Sequence, residues 1–223
     1  QNQIMKLSDS DVLVLLDADI LIKDKNFLKK ISKPVLDKKA NIVSVSVKEL
    51  ETVNVLEKLL KISMDFKKEI FENYKNGDNI YTCHGRARAF SKDLYKSIKF
   101  KDSVGEDEYS YLFAISKGFI YKFIKNTAIY YKLPQNLKDH EAQSVRFYKS
   151  QELMEKGFGK DLMEKENYLN SYILIKSLIR YIFINPLILV YFALAAFLKL
   201  KSIFISDINN TWVTSTSSKR LRS

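Results

Sequence analysis

A disulfide framework is the first thing this chain excludes: Cys83 is the only cysteine among 223 residues, which fits a reducing compartment. Proline (three) and glycine (six) are scarce as well, so tight turns are few and the elements between them long. Acid is short relative to base. Against 26 Asp and Glu stand 37 Lys and Arg, a formal charge of +11. That excess suits an anionic lipid surface, a phosphate ligand or nucleic acid. The basic residues are spread along the chain rather than interleaved with aromatics, and no nucleic-acid motif occurs, so nucleic acid is set aside. The stretch from Gln1 to Asp11 is polar and lacks the apolar run of a secretory signal. No internal repeat stands out. The apolar fraction of 46% and charged fraction of 28% are ordinary for a globular domain, and the length allows one sizeable core with an appendage.

What is present is organised around Asp11-Val-Leu-Val-Leu-Leu-Asp17-Ala-Asp19-Ile-Leu. The apolar run Val12 to Leu16 is too short for a spanning helix and predicts a buried parallel strand. Asp17 and Asp19 fall where that strand ends, and open α/β sheets bind ligands just beyond the carboxyl ends of their strands. Two acids there repel each other unless a cation neutralises them. Mg²⁺ or Mn²⁺ bridging to a phosphorylated substrate does so. Solvated acids in a strand-to-loop turn are the plainer reading of D-x-D alone.

Further along, a helix is expected over Asp24 to Lys39, divided at Pro34. Ile42 to Val47 alternates apolar and polar, the pattern of a half-buried strand. A long helix should run from about Glu49 to Tyr74 and stop at Asn76-Gly77-Asp78. Ile80 to Cys83 reads as a short strand, followed by Gly85-Arg86-Ala87-Arg88-Ala89-Phe90-Ser91, where small residues let backbone approach a ligand and Ser91 caps a helix through Ile98. His84 is a ligand, a base, or a packed residue. Gly105-Glu106-Asp107 opens a helix closed by Gly118. Acids in a first turn complement the macrodipole, or Asp107 is a general base aimed into a pocket. Phe119 to Tyr131 gives one or two strands. The helix from Leu137 to Phe158 carries Gln143, Arg146 and Phe147 on one face.

The character then changes. Tyr181 to Leu198 has no charged residue and approaches the ~17 residues needed to span a bilayer. Before it, Tyr172 to Arg180 mixes apolar residues with Lys176 and Arg180, as interfacial amphipathic helices do. Ser206 to Ser223 is polar and basic, the composition of a disordered tail. The expected division is 1–160, 161–205 and 206–223.

Taken in order, Asp17-Ala-Asp19, Gly85-Arg86-Ala-Arg88, Gly105-Glu106-Asp107, Gln143-Ser-Val-Arg146-Phe147 and the apolar span resemble the membrane-associated members of glycosyltransferase family 2, the GT-A group of cellulose, chitin and hyaluronan synthases. Their pattern is D-x-D, T-E-D and Q-x-x-R-W; here Gly105 stands for Thr and Phe147 for Trp. The resemblance implies an α/β fold, a partial GT-A mixed sheet with flanking helices, followed by an amphipathic and a transmembrane helix. Only eleven residues precede Val12, so the strands that hold base and ribose in that family are not represented. A partner chain would supply that amino-terminal half. The implied activity is inverting transfer from a nucleotide-diphosphate sugar to a polysaccharide or lipid-linked acceptor, at a membrane, with the catalytic part on the cytoplasmic side. Asp19 and Asp17 would hold the metal and Asp107 would act as base. Gln143, Arg146, Phe147, Arg86 and Glu106 would contact substrate or acceptor. Two other readings are an inactive membrane-anchored binding subunit and a phosphatase of the haloacid-dehalogenase type. The latter wants Thr or Val where Leu21 stands.

Overall fold

The computed structural model describes residues 1–100 and 105–203; the basic tail of 206–223 lies outside them. Among the described residues the chain forms one mixed sheet of five strands, in the order β1-β4-β3-β5-β2. They are β1 (Val12–Leu16), β2 (Ile20–Leu21), β3 (Ile42–Glu49), β4 (Ala87–Ser91) and β5 (Tyr121–Tyr131). The helices are α1 (Asn2–Leu7), α2 (Phe27–Leu36), α3 (Val55–Phe71), α4 (Lys92–Ser97), α5 (Glu106–Ser116), α6 (Leu137–Phe158), α7 (Lys160–Glu166), α8 (Ser171–Ile184) and α9 (Ile188–Ile203).

The expected parallel pairing of β1 is corrected. Its hydrogen-bonded neighbour is β4, antiparallel, with Val12 opposite Ser91 and Leu16 opposite Ala87. β4 is in turn antiparallel to β3, and β3 is parallel to β5. Two reversals restore direction, so β1, β3 and β5 still point the same way and their carboxyl ends share one end of the sheet. β1 is also an edge. Asp17 N–H donates to the Arg86 carbonyl and Lys92 N–H to that of Asp11, which makes the odd-numbered residues the bonded pairs. The backbone groups of Val12, Val14 and Leu16 therefore face away from β4.

The sheet separates two cores. Val12 and Val14 face the one that contains Phe27, Ile31, Val43, Val45, Leu60 and Phe66, under α2 and α3. Leu13 and Leu15 face the other, built on Ile42, Phe90, Leu94, Tyr111 and Leu112 under α4 and α5. β3 was expected to be half-buried; both its faces are covered. The serines that produced the alternation are enclosed, Ser44 hydroxyl donating to the Ala87 carbonyl (3.4 Å) and Ser46 to Glu72 (2.6 Å). Hydroxyls small enough to find an internal acceptor do not need water.

Other boundaries shift for local reasons. α3 starts at Val55 rather than Glu49 because β3 runs on through Glu49 and Asn54 makes a capping box with Glu57. Ile80–Thr82 is a 3₁₀ turn, not a strand, tied by Asn79 and by Thr82 bonding back to Gly77. In β5 the register jumps, Val45 facing Ile124 and Ser46 facing Ala128, a bulge that keeps one long strand where two were possible.

The transmembrane expectation is corrected too. Among the described residues no helix is long and apolar enough to cross a membrane. Asn185, with φ −148° and ψ 88°, ends α8 ahead of Pro186, because the proline ring disfavours helical backbone in the residue before it. The uncharged run is thereby cut into parts of two helices, of 14 and 16 residues. α9 rests on α3 and α6.

Candidate active site

The carboxyl ends of β1, β3 and β5 and the start of β4 meet at one end of the sheet. Asp17 directly follows β1 and is fixed by its N–H to the Arg86 carbonyl, 2.9 Å. Alternation along a strand then decides directions. Leu13 and Leu15 face the α5 side, and so does the position of Asp17; Phe90 faces it on β4, as does Arg88, whereas the Arg86 guanidinium reaches the Tyr131 ring, which belongs to the core on the opposite face. α5 is the helix whose first turn contains Asp107.

Asp107 is held at both oxygens. Oδ2 accepts the Gly85 N–H (3.1 Å) and Oδ1 the N–H of Glu108 (3.0 Å). The helix start is fixed from below by Arg88, only 1% exposed, whose Nη1 donates to the Glu106 carbonyl (2.8 Å) and to Ser110 Oγ (2.9 Å). Ser110 donates to the Asp107 carbonyl, 2.8 Å. Gly105 is needed at the turn into α5. Its φ is +93°, and an added Cβ would lie 2.9 Å from Ser150 Cβ of α6; a Thr, as in the resembled motif, fits neither constraint.

The electrostatics are those of crowded acids beside two cations. Burial pushes the Asp17 carboxyl above its ordinary range, opposed by Arg86 and reinforced by Asp19 and Asp107. The Arg86 guanidinium carbon lies over the Tyr131 ring, 3.8 Å from its centroid, and the Tyr131 hydroxyl donates to Glu49 at 3.0 Å. Burial, with help from Arg86, takes His84 down to about 3, so its ring is neutral; its Nδ1 is buried with no hydrogen-bond partner among the described residues. Burial raises the Cys83 thiol to about 12, far from the thiolate a nucleophile needs. Glu108 is lifted to about 7 by burial and then by Asp107, with Ser150 Oγ donating to it at 3.3 Å.

The residues named from the sequence thus fall into groups. Asp17, Asp19, Asp107 and Arg86 share one electrostatic neighbourhood. Glu106 stands in the same helical turn as Asp107, but its carboxylate accepts from Gln1 at 3.3 Å. Gln143, Arg146 and Phe147 lie on α6, which meets the start of α5 through Ser150. Arg146 is one helical turn before Ser150, so the face that carries it is the face turned to α5. Phe147 is 53% exposed, its ring against Tyr148. Arg88 and Glu108 were missed. Period-two alternation in Arg86-Ala-Arg88-Ala-Phe90 was the available signal for Arg88, since it places that arginine on the face of a buried strand.

Among the described residues no three His, Cys, Asp or Glu side chains are placed to hold a metal together. A pair of acids is a different donor set. It suits an ion that takes one or two carboxylates and completes its shell with water and substrate phosphates. The repulsion that Asp17 feels from Asp19 and Asp107 is what a cation there would relieve.

The chain matches no family model and no curated protein. Among solved structures it is similar to the mannosyltransferase PcManGT from Pyrobaculum calidifontis, determined in complex with GDP-Man and Mn²⁺, with a TM-score of 0.58 at 12% identity. The match covers 92% of this chain and 66% of that one, so the present chain spans just under two thirds of its neighbour's length. The likeness is one of fold, shared with that glycosyltransferase.

Proposed function

We propose that this chain is a metal-assisted, inverting glycosyltransferase that moves a sugar from a nucleotide-diphosphate donor to a glycan or lipid-linked hydroxyl. The observation that carries the reading is the gathering of Asp17, Asp19, Asp107 and Arg86 at the carboxyl ends of parallel strands, in a chain with a glycosyltransferase fold. Asp19 and Asp17 are the residues that would hold Mg²⁺ or Mn²⁺, whose charge would stabilise the departing diphosphate. Arg86, fixed on Tyr131, offers a planar pair of donors to the same phosphates. Asp107 is set to accept the proton of the attacking hydroxyl, its orientation held by Gly85. Gln143 and Arg146, on the α6 face toward α5, belong to the acceptor side. Phe147 gives a sugar ring an aromatic face, and Glu106 flanks the base. The open edge of β1, adjoining the acids, is where a further strand would extend the sheet beside the donor.

Calorimetric titration of GDP-mannose and other nucleotide-diphosphate sugars, with and without Mn²⁺, tests this. Binding should require the ion, disappear in Asp19→Asn and survive in Asp107→Asn. Binding indifferent to both Mn²⁺ and Asp19 would sink the proposal. A catalytically silent sugar-binding subunit is the second reading. It forecasts the same binding with no transfer.

A further inference from the structure

A carboxylate is buried at the end of β3 with no structural need for it there. The Glu49 side chain is 1% exposed and stands opposite Tyr131 in the parallel pairing of β3 with β5. Its Oε1 accepts the Tyr131 hydroxyl at 3.0 Å and its Oε2 the Lys68 ammonium at 2.6 Å, with Lys61 at 3.9 Å. Taking a carboxylate out of water is costly, and an ion pair seldom repays it in full. Nor do the lysines of α3 require it. Asp65 already pairs with both, at 2.8 Å to Lys61 and 3.3 Å to Lys68, and both side chains keep part of their surface in water.

What Glu49 reaches through Tyr131 is Arg86, whose guanidinium carbon lies 3.8 Å from the ring centroid. The other arginines of this region are tied by hydrogen bonds or ion pairs, Arg88 to the Glu106 carbonyl and Ser110, Arg180 to Glu69. Among the described residues no ion pair or hydrogen bond claims the N–H groups of Arg86; a ring holds it. A guanidinium stacked on a ring keeps its edge open to a phosphate, whereas one paired with a carboxylate has already used it. The strength of the hold follows the negative charge on the ring face. A phenol donating to a carboxylate is polarised, which enriches that face. Burial first, opposed by Arg86 and then helped by Glu49, lifts the Tyr131 hydroxyl well above its ordinary value, so it stays a donor.

We propose that Glu49 is the positioning residue of Arg86: its bond to Tyr131 fixes and enriches the ring on which the guanidinium rests, so that the open N–H edge is presented to the diphosphate of a nucleotide ligand. This deepens the transferase reading and rests on it only for what Arg86 holds. The placing of Arg86 is a property of the empty chain.

The placing is therefore read first, without ligand, by nuclear magnetic resonance of the full chain carrying isotope-labelled arginine. The Arg86 side-chain protons, assigned by their loss in Arg86→Met, should be shifted upfield by the ring. Glu49→Leu and Tyr131→Phe should each return them toward the position of free arginine, and Glu49→Gln, which keeps an acceptor, should move them less. Calorimetry with GDP and Mn²⁺ follows. Arg86→Met should weaken binding roughly tenfold or more, as loss of a charge-assisted bond does. Glu49→Leu and Tyr131→Phe should each weaken it roughly threefold to tenfold, and the double variant no further, because the two act as one unit. Neither should matter once Arg86 is gone. A purely structural Glu49 would lower stability in urea while leaving the Arg86 resonances in place. Tyr131→Phe removes a single oxygen, so it decides the matter even if Glu49→Leu fails to fold. Unmoved Arg86 resonances in Tyr131→Phe, or additive losses in the double variant, would overturn the proposal. GDP that failed to bind the wild-type chain would count against the transferase reading instead, and the resonances would judge the positioning by themselves.

Discussion

The end of the sheet that carries Asp17 and Asp107 and the layer formed by α8 and α9 are inverted images of each other. At the first, charged groups are brought together where water is thin: Arg88 is 1% exposed and Glu108 is raised to about 7. At the second, apolar side chains stand in water, Phe183 foremost. Neither arrangement stabilises an isolated domain, since buried charge and exposed hydrocarbon both work against folding. Their difference is in what relieves them. The charged end is relieved by ions, phosphates and protons; the apolar layer is relieved by a surface without water.

The comparison breaks most visibly at Asp107. If the charged end does chemistry, Asp107→Asn removes the proton acceptor while its one amide oxygen can still accept from Gly85, giving up the local bond from Glu108, and transfer should fall by roughly 10²–10⁴-fold. Kinetics measured at saturating donor, beside an unchanged melting temperature, would check it. Wild-type rates would move the base elsewhere.

Arg88 is the next largest. Arg88→Met leaves the Glu106 carbonyl and Ser110 hydroxyl without their donor, and unfolding in urea should show a loss of about 1–3 kcal/mol. Transfer should drop with it, because the start of α5 loses its support. A variant as stable as wild type would show that the guanidinium is not what orders that turn.

Glu108 sharpens the comparison through pH. Its folded value of about 7 lies above the ordinary 4.5, so the folded chain holds the proton more tightly than the unfolded one. Below about pH 4.5 both forms are protonated and nothing is lost. Between 4.5 and 7 the unfolded chain ionises first and stability falls; above 7 the deficit is constant. Glu108→Gln should therefore match wild type near pH 4 and exceed it by on the order of 1–3 kcal/mol above pH 7. Parallel denaturation curves at every pH would contradict this.

The smallest effect belongs to the apolar layer. Phe183→Ser should change stability in lipid-free solution by no more than about 0.5 kcal/mol, as surface substitutions do. A larger loss would mean that Phe183 packs.

Much of this was legible in the sequence because the deciding physics is local. The bounds of α6 follow from one uninterrupted helical pattern between Asn136 and Gly159, the residues that flank it. Ser91 announced α4 by its capping oxygen. Asp17 and Asp19 pointed to a strand end because apolar residues stop there. What escaped was set by partners distant in sequence. That β1 pairs with β4 and not with a parallel neighbour depends on residues more than seventy positions away. The burial of Ser44 and Ser46 depends on acceptors at Ala87 and Glu72. The apolar run from Tyr181 onward suggested a span by composition, and one dihedral ahead of Pro186 was enough to divide it.

The one-sided fastening of β1 has a dynamic consequence. Leu13 and Leu15 donate their amides to β4, while those of Val12, Val14 and Leu16 have no strand to meet among the described residues. Deuterium should therefore enter alternate positions of the same short segment at different speeds, fast at the even residues and slow at the odd ones. The two acids ride at the tip of a ribbon hinged along a single seam, so their spacing can follow whatever comes to lie along its free side. Anything that closes that side should slow the even-numbered amides and tighten the grip on the ion together.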